Sequence, residues 1–454
     1  MTAPERRPAA VARSRTVPAV LTTLALVLVP ALAARAQTPP TEGNRLELGA
    51  EERVRSENWD NLTDFNQATL DARHQWRYRT RAWAKLNLST RDEFMVGLND
   101  ESRSMSTPRM ALTMDEVIFE TLYLDHRFSD GAALRVGRQN LTRGDGFVLF
   151  DGNPGDGSRT QYFNALDLSW TSGRSRLDLM LISDPHKDIY LPRIHDKAKA
   201  LCEWDEQALG LYWTGPCPTS PDGTRDLYYF LKTETHDTRP LSNPQVQPTR
   251  TIHTLGARVA RPFARGVSFS AELAGQAGTQ QPATDVLAWG GTVSLKKTFA
   301  HATRPSLLVG WTGLSGDDPG TRTNEGWDPL FSRWPKWSEL LIYEQLVERG
   351  VAYWTNLSML QAEARVTPVK SLDLRATCYR LDAFQRFPGK PSIFAAGTHR
   401  GNLYEARADY KVNDCLRGHV VGEYLTPGDF YAGSDNAWFF RVEVVASFKK
   451  TFAV

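Results

Sequence analysis

The chain has 454 residues, of which 41% are hydrophobic, 10% aromatic and 23% charged, with four cysteines and a formal net charge of +2. That apolar and aromatic content excludes a disordered polymer, and the size with so few cysteines excludes a small disulfide scaffold. After Gln37 no apolar run is long enough for a membrane-spanning helix, which excludes a helical membrane bundle.

The chain starts with a basic stretch (Arg6, Arg7, Arg13, Arg15), an apolar run from Val17 to Ala34, and the small-x-small triplet Ala34-Arg35-Ala36. This order predicts an export signal over 1–36 and a single mature domain over 37–454. Without 1–36 the chain carries 49 basic and 51 acidic side chains, so no bulk positive field points to nucleic acid.

From there the sequence alternates with period two. Tyr404, Ala406, Ala408 and Tyr410 interleave with Glu405, Arg407, Asp409 and Lys411. A strand sends successive side chains to opposite faces, so each such segment has one apolar and one charged face. The pattern predicts strands near 45–55, 66–79, 81–91, 114–128, 132–143, 160–171, 175–184, 206–213, 225–236, 251–261, 266–277, 285–298, 305–314, 350–366, 371–383, 401–412, 417–427 and 437–452. Short turns are expected at Thr80-Arg81, Asp130-Gly131, Thr171-Ser172-Gly173 and Asn413-Asp414. Long polar connections are expected near 92–113, 144–158, 185–205, 237–250, 315–349 and 384–400.

Strand cores of about ten residues cross a tilted bilayer path. Trp76, Trp170, Tyr424, Trp438 and Phe452 near strand ends suit interfacial girdles. A soluble β-sandwich also alternates, but without paired charges so dense or connections so asymmetric. The expected fold class is all-β: a transmembrane antiparallel up-and-down β-barrel of about 18 strands, with long extracellular loops and short periplasmic turns. Its place is the bacterial outer membrane, and its partners there are outer-membrane lipid and the barrel-assembly machinery. If the segment at 206–213 spans the membrane, Cys202 and Cys217 lie on opposite sides and cannot pair; if they pair, 202–217 is an extracellular lobe.

Motifs for covalent or metal chemistry are missing from the sequence: there is no phosphate loop, zinc-protease helix or nucleophile elbow. Asp151 to Gly157 approximates a calcium loop, but Tyr162 stands where a glutamate is needed, so it reads as a glycine-rich loop. The expectation is no enzyme, no cofactor and no metal. The informative surface is the charged face. Parity places Arg73, Arg77, Arg135, Arg365, Arg375, Arg407 and Arg441 in the lumen, facing acids such as Glu363, Glu405 and Glu443. A guanidinium fork suits carboxylates, and the same residues serve as salt-bridge ladders in a wide barrel. Arg138 breaks parity with Leu134 and Val136, so a β-bulge at Gly137 is expected to turn it inward.

Several motifs resemble one family. Leu134-Arg135-Val136-Gly137-Arg138-Gln139 with Gly144-Asp145, then Arg159 with Phe163-Asn164-Ala165, then Leu314-Ser315-Gly316-Asp317 and Trp327-Asp328-Pro329-Leu330-Phe331, are similar to segments of bacterial alginate-export barrels. The resemblance implies an 18-stranded outer-membrane barrel whose electropositive constriction passes a polyuronate, gated by a long loop and a periplasmic plug. It implies Arg138 as a pore residue and Trp327, Asp328 and Phe331 in the gating loop. The expected function is export of an anionic, uronic-acid-type polysaccharide or oligosaccharide by a monomeric barrel. The alternative is a general porin for small, including anionic, solutes.

Overall fold

The alternating segments become strands because two faces of opposite polarity can be satisfied at once only when one faces lipid and the other a lumen. The computed structural model describes residues 44–114, 117–150, 163–192, 194, 202, 205–235, 249–281, 283–332, 337–340, 355–387 and 392–454. The expected export signal, the loop at Asp151–Gly157 and Arg159 lie outside the described residues.

Twenty strands run in order: β1 (Arg45–Asp60), β2 (Arg73–Asn87), β3 (Asp92–Thr107), β4 (Arg109–Met114), β5 (Ile118–Ser129), β6 (Ala132–Gln139), β7 (Phe163–Ser172), β8 (Ser175–Asp184), β9 (Asp205–Cys217) and β10 (Ser220–Thr235). They continue as β11 (Arg250–Phe263), β12 (Val267–Gln280), β13 (Thr284–Thr298), β14 (Ser306–Leu314), β15 (Thr323–Asn324), β16 (Leu357–Val369), β17 (Leu372–Asp382), β18 (His399–Lys411), β19 (Leu416–Pro427) and β20 (Ala437–Ala453). Each wall strand pairs antiparallel with its neighbours, and β1 pairs with both β2 and β20, which closes the barrel. Eighteen strands form the wall. β4 only extends a hairpin from β3, and β15 is a two-residue strand in a loop, paired parallel to β13.

The outer face carries exposed Leu255, Leu273 and Leu287, with Trp76, Trp170, Tyr404, Tyr424 and Trp438 toward the strand ends. The inner face buries charge: Glu51, Arg53, Arg55 and Glu57 alternate along β1 with partly exposed neighbours. Short turns join β2–β3, β5–β6, β7–β8, β9–β10, β16–β17 and β18–β19 at one rim, where Val454 N also donates to Asn44 O. By loop length this rim is periplasmic.

Three expectations are corrected, and one open alternative is decided. Thr80 and Arg81 are not a turn but lie mid-strand in β2, so the expected strands at 66–79 and 81–91 give way to one strand starting at Arg73. The expected loop at 92–113 is mostly β3. Its upper half is polar on both faces (Asn99, Glu101 and Arg103 on one, Asp100, Ser102 and Ser104 on the other), which erases the hydropathy alternation that marks a strand. The long connection lies at 61–72 instead, where Asp71 accepts the backbone amides of Asn61 (2.8 Å) and Thr63 (2.7 Å).

Nor is there a bulge at Gly137: pairing runs unbroken through it on both sides, Tyr123↔Gly137 and Gly137↔Ala165. Gly137 adopts φ 122°, a region closed to L-residues, and a Cβ there would lie 2.2 Å from Leu122 O. The register shift sits one strand over, where Gly97↔Thr121 is followed by Leu98↔Phe119 and leaves Glu120 as the extra residue. Finally, β9 does span the wall. Cys202 lies beyond its extracellular end and Cys217 closes its periplasmic end, and all four cysteines are free.

Candidate functional site

Strand register organises the lumen into rows. Arg365↔Arg375 and Arg375↔Arg407 face each other directly across β16, β17 and β18, and the row continues through Val421 to Arg441 and Glu57. Like charges directly opposite repel. Each guanidinium is therefore met by a carboxylate from the row above or below: Arg365 Nε to Asp373 (2.6 Å), Arg375 Nη2 to Glu405 (2.6 Å), Arg407 Nη2 to Asp409 (2.8 Å). A second row, Arg55↔Arg77↔Arg103, crosses β1, β2 and β3. It is balanced by Glu443 (2.5 Å from Arg55 Nε) and Glu101 (3.0 Å from Arg77 Nη2). Glu57 is fully buried and serves three guanidiniums, those of Arg441 (2.9 Å), Arg77 (3.4 Å) and Arg55 (3.8 Å).

The pore residues expected from sequence thus occupy different environments. Arg73 opens β2 at the extracellular rim, with Nη1 on Ala72 O. Arg135 holds Asp125 (2.9 Å) and lies over the Tyr123 ring. Arg365, Arg375 and Arg135 stay partly open to the lumen, whereas Arg441 and Arg138 are completely buried. Arg138 donates to Phe119 O (3.0 Å) and Asn164 Oδ1 (2.9 Å), and pairs with Asp188 (2.8 Å) from the β8–β9 loop.

The connection between β14 and β16 enters the barrel. Ser315 O accepts the amides of both Trp327 and Asn356 (3.0 Å each), so the loop's two ends are tied together at the wall. Trp327, Asp328, Leu330 and Phe331 are all buried. Asp328 binds the Arg250 guanidinium on β11, and its main chain is clasped by the Gln276 amide of β12 (2.9 and 2.7 Å). Lys232 of β10 donates to Leu330 O (2.9 Å) and sits over the Phe331 ring. Phe331 N and Ser332 Oγ bind Val148 O and Gly146 O, which docks this loop on the β6–β7 loop.

Six residues later the same loop is on the far wall. Glu423 of β19 accepts from Ser338 Oγ (2.6 Å) and from the amides of Glu339 (2.8 Å) and Leu340 (3.2 Å). Glu339 itself pairs with Arg441 of β20 (2.5 Å). Six wall strands separate β11 from β19 one way round, and eight separate β10 from β20 the other.

Below this plug, toward the periplasm, the β5–β8 wall bounds a cavity of about 650 Å³. Arg127, Arg135, Arg143 and Arg176 face Asp125, Asp130 and Asp167 there. Arg143 and Arg176 both pair with Asp178 (3.1 and 2.7 Å). Arg127 has no carboxylate partner among the described residues. On the opposite wall Arg365, Arg375 and Arg407 stand a few residues from their own periplasmic turns.

Compared with known proteins, residues 44–439 match the sequence profile described as "Alginate export". The chain belongs to the alginate export family. No curated protein matches it. Among solved structures, the outer-membrane protein OprD from Pseudomonas aeruginosa is similar at 13% identity and TM-score 0.55, over 90% of this chain and 94% of that one. OccK2 (OpdF) of P. aeruginosa, in complex with glucuronate, is similar at 12% identity and TM-score 0.53, over 89% and 98%. OccAB1 of Acinetobacter baumannii is similar at 10% identity and TM-score 0.54, over 89% and 97%. These likenesses show an outer-membrane porin fold.

The motifs that resemble other alginate-export barrels do loop-docking work here. Asp145 of the Gly144-Asp145 pair grips Arg258 through two parallel hydrogen bonds (2.7 and 2.8 Å). Gly144 has φ 57°, and a Cβ there would lie 2.6 Å from the Tyr212 hydroxyl. Sequence reasoning missed Lys232 and Arg250, and gave Arg258 and Glu423 only as inward-facing wall residues. Parity marks all four as inward. Their importance comes from loop residues far away in the chain, which periodicity does not report.

Proposed function

We propose that this outer-membrane channel passes a uronic-acid-type polysaccharide or oligosaccharide outward as a single, monomeric conduit. The observation that carries the reading is the periplasmic vestibule, where partly open arginines stand on two opposed walls of the lumen. A polymer arriving from the periplasm meets guanidiniums first, and forked donors suit its carboxylates. Every wall arginine named above except Arg73 and Arg127 already has a carboxylate partner. Contacts with the polymer are therefore weak and numerous, which lets a chain advance in steps instead of binding tightly at one site.

The test is planar-bilayer recording with oligouronate added to the periplasmic side. Anion selectivity from the reversal potential, and block that weakens in Arg365→Ala/Arg375→Ala/Arg407→Ala, are expected. Cation selectivity, or equal block by a neutral oligosaccharide, would refute the reading. A small-solute porin is the second reading, favoured by the near balance of the acidic and basic rows. It expects weak selectivity and no block.

A further inference from the structure

On the periplasmic rim the outer face changes character between β9 and β14. Antiparallel alternation puts the β11–β12 and β13–β14 connections on the same rim as the β9–β10 turn. The rim segments 213–225, 259–269 and 295–307 carry Arg225, Arg261, Arg265, Lys296, Lys297 and Arg304 against a single carboxylate, Asp222. Strand parity sends Arg225, Arg261 and Lys297 outward with the exposed Leu227, Leu255 and Leu295, so these cations border lipid and not the lumen. Each stands over an aromatic ring: Arg225 over Trp213 (5.1 Å), Arg261 over Phe263 (4.3 Å) and Lys297 over Phe299 (5.5 Å). Arg265 and Arg304 are exposed in the two connections. None of these five has a carboxylate partner among the described residues. Elsewhere on the rim Lys85, Lys411, Arg417 and Lys449 are held by Glu93, Asp414, Glu51 and Glu47 respectively.

Beside this patch the outer wall is notched. Leu307, Ala364, Ala376, Ala406, Gly422 and Phe440 stand in register across β14 and β16 to β20. Small side chains between Leu307 and Phe440 leave an apolar depression of about 840 Å³, which Phe299 and Pro305 also line. Leu307 is at the periplasmic start of β14 and Phe440 near the extracellular start of β20, so the row climbs from the rim into the membrane. Phe299 N donates to Pro305 O (2.9 Å) and Lys297 donates to Arg265 O, which ties both basic connections to the mouth of the depression.

We propose that this sector is a binding site for an anionic phospholipid of the periplasmic leaflet. Its phosphate lies among Arg265, Lys297 and Arg304, and one acyl chain fills the depression over Ala364, Ala376 and Ala406. Guanidinium and ammonium groups bind phosphate, and a cation without an internal carboxylate has no competitor for it. A cation stacked on an interfacial ring is held at headgroup level. A notch in a lipid-facing wall regains its dispersion contacts only from a chain that lies along it. The outward cations are flanked by lipid-facing leucines, which fits a lipid; an acidic periplasmic protein would reach only the turn tips. The site is independent of what the channel carries.

The experiment is native mass spectrometry of the folded barrel released from micelles that contain equal phosphatidylglycerol and phosphatidylcholine with identical chains. The unaltered protein should retain phosphatidylglycerol over phosphatidylcholine at least about tenfold, as expected for two or more cations at an anionic headgroup. Arg265→Gln/Lys297→Gln/Arg304→Gln should abolish that preference. The matched variant Lys85→Gln/Arg91→Gln/Lys449→Gln, in another sector of the rim, should keep it. Ala376→Phe/Ala406→Phe should lower retention of both lipids, and glycerol phosphate, a headgroup without chains, should not bind. The comparison of the two lipids needs no variant to fold, and heat-modifiable mobility reports folding of the variants. Equal retention of the two lipids by the unaltered protein, or equal loss of preference in both triple variants, overturns the proposal. Glycerol phosphate binding as tightly as the lipid would make this a site for free phosphate and overturn it. A stable dimer that Ala376→Phe/Ala406→Phe dissociates would put a second copy in the depression, with the same result.

Discussion

Glu57 is the most heavily shared carboxylate of the lumen wall, and its removal gives a direct measure of what the charge rows contribute. In Glu57→Gln the side-chain shape is kept, but one oxygen becomes an amide donor. Around it stand three groups that donate, Gln75 Nε2 (2.7 Å), Arg441 Nε (2.9 Å) and Arg77 Nη1 (3.4 Å), with Arg55 Nη1 3.8 Å away as a further ion-pair partner. At least one donor then faces another donor, and two buried guanidiniums (Arg55 and Arg441) and the partly exposed one of Arg77 lose a shared counter-charge. Removing one partner of a buried ion pair typically costs about 3–5 kcal/mol, because the remaining charge cannot reach water. Arg55 and Arg77 keep Glu443 and Glu101, which places the expected loss toward the lower end, about 3 kcal/mol. The assay is urea unfolding in phospholipid vesicles, followed by the heat-modifiable mobility of the folded barrel. Pairing with Arg441→Met should recover part of the loss, since the double variant removes both a charge and its orphaned partner. A midpoint shift worth less than about 1 kcal/mol would mean that water reaches the row and screens it, and the buried-row argument would fail.

Further outcomes follow from other parts of the wall. Gly137→Ala meets both a forbidden φ and a 2.2 Å approach to Leu122 O, so it should lower stability by about 1–3 kcal/mol or more in the same assay, whereas a neutral change would contradict the backbone geometry. Cys415 lies in the exposed β18–β19 turn, so in a Cys202→Ser background a membrane-impermeant maleimide should label it only after the outer membrane is permeabilised; labelling of Cys415 on intact cells would invert the assigned sidedness. Cys202 and Cys217 cap opposite ends of β9, so oxidation should leave electrophoretic mobility unchanged. Glu423→Gln loses charge-assisted bonds to Ser338, Glu339 and Leu340, each worth about 1.5–3 kcal/mol, and should expose the loop to protease without lowering the unfolding midpoint comparably.

The wall was legible wherever lipid and lumen demanded opposite polarities. Tyr404 to Tyr410 and Phe440 to Phe448 alternate cleanly and fold as β18 and β20, and the expected number of wall strands matches the barrel. Periodicity failed at β3, where polar side chains occupy both faces above Leu98, and at Thr80-Arg81, where a polar pair inside β2 imitates a turn. At Gly137 parity correctly flagged a conflict but named the wrong device. A glycine can adopt a positive φ without inserting a residue, and a one-letter pattern cannot distinguish that from a bulge. The plug was the least legible part. Trp327, Asp328 and Phe331 drew attention through a motif, yet their partners lie on β10, β11 and β12, about fifty to a hundred residues upstream. Only the closed barrel brings them together.

If the barrel passes a polyanion as proposed, the distribution of charge accounts for its being both rigid and permissive. Were the arginine rows unpaired, Arg365, Arg375 and Arg407 in direct register would repel one another and bind a polyuronate too strongly to release it. Were the rows fully neutralised and buried, the polymer would find no donor. The wall lies between these limits. Toward the extracellular half Arg138, Arg250 and Arg441 are shielded and held by loop carboxylates. Toward the periplasm Arg135, Arg365 and Arg375 keep one face open while a neighbouring aspartate or glutamate holds the other. A half-satisfied guanidinium offers its remaining N–H donors at modest affinity, and successive ones at strand spacing let one contact form as another breaks. Substituting lysine for these three arginines would keep every charge and lose the forked geometry. Block by oligouronate should then weaken while anion selectivity persists. Equal loss of both would show that net charge alone governs the vestibule, and would remove the argument for arginine in particular.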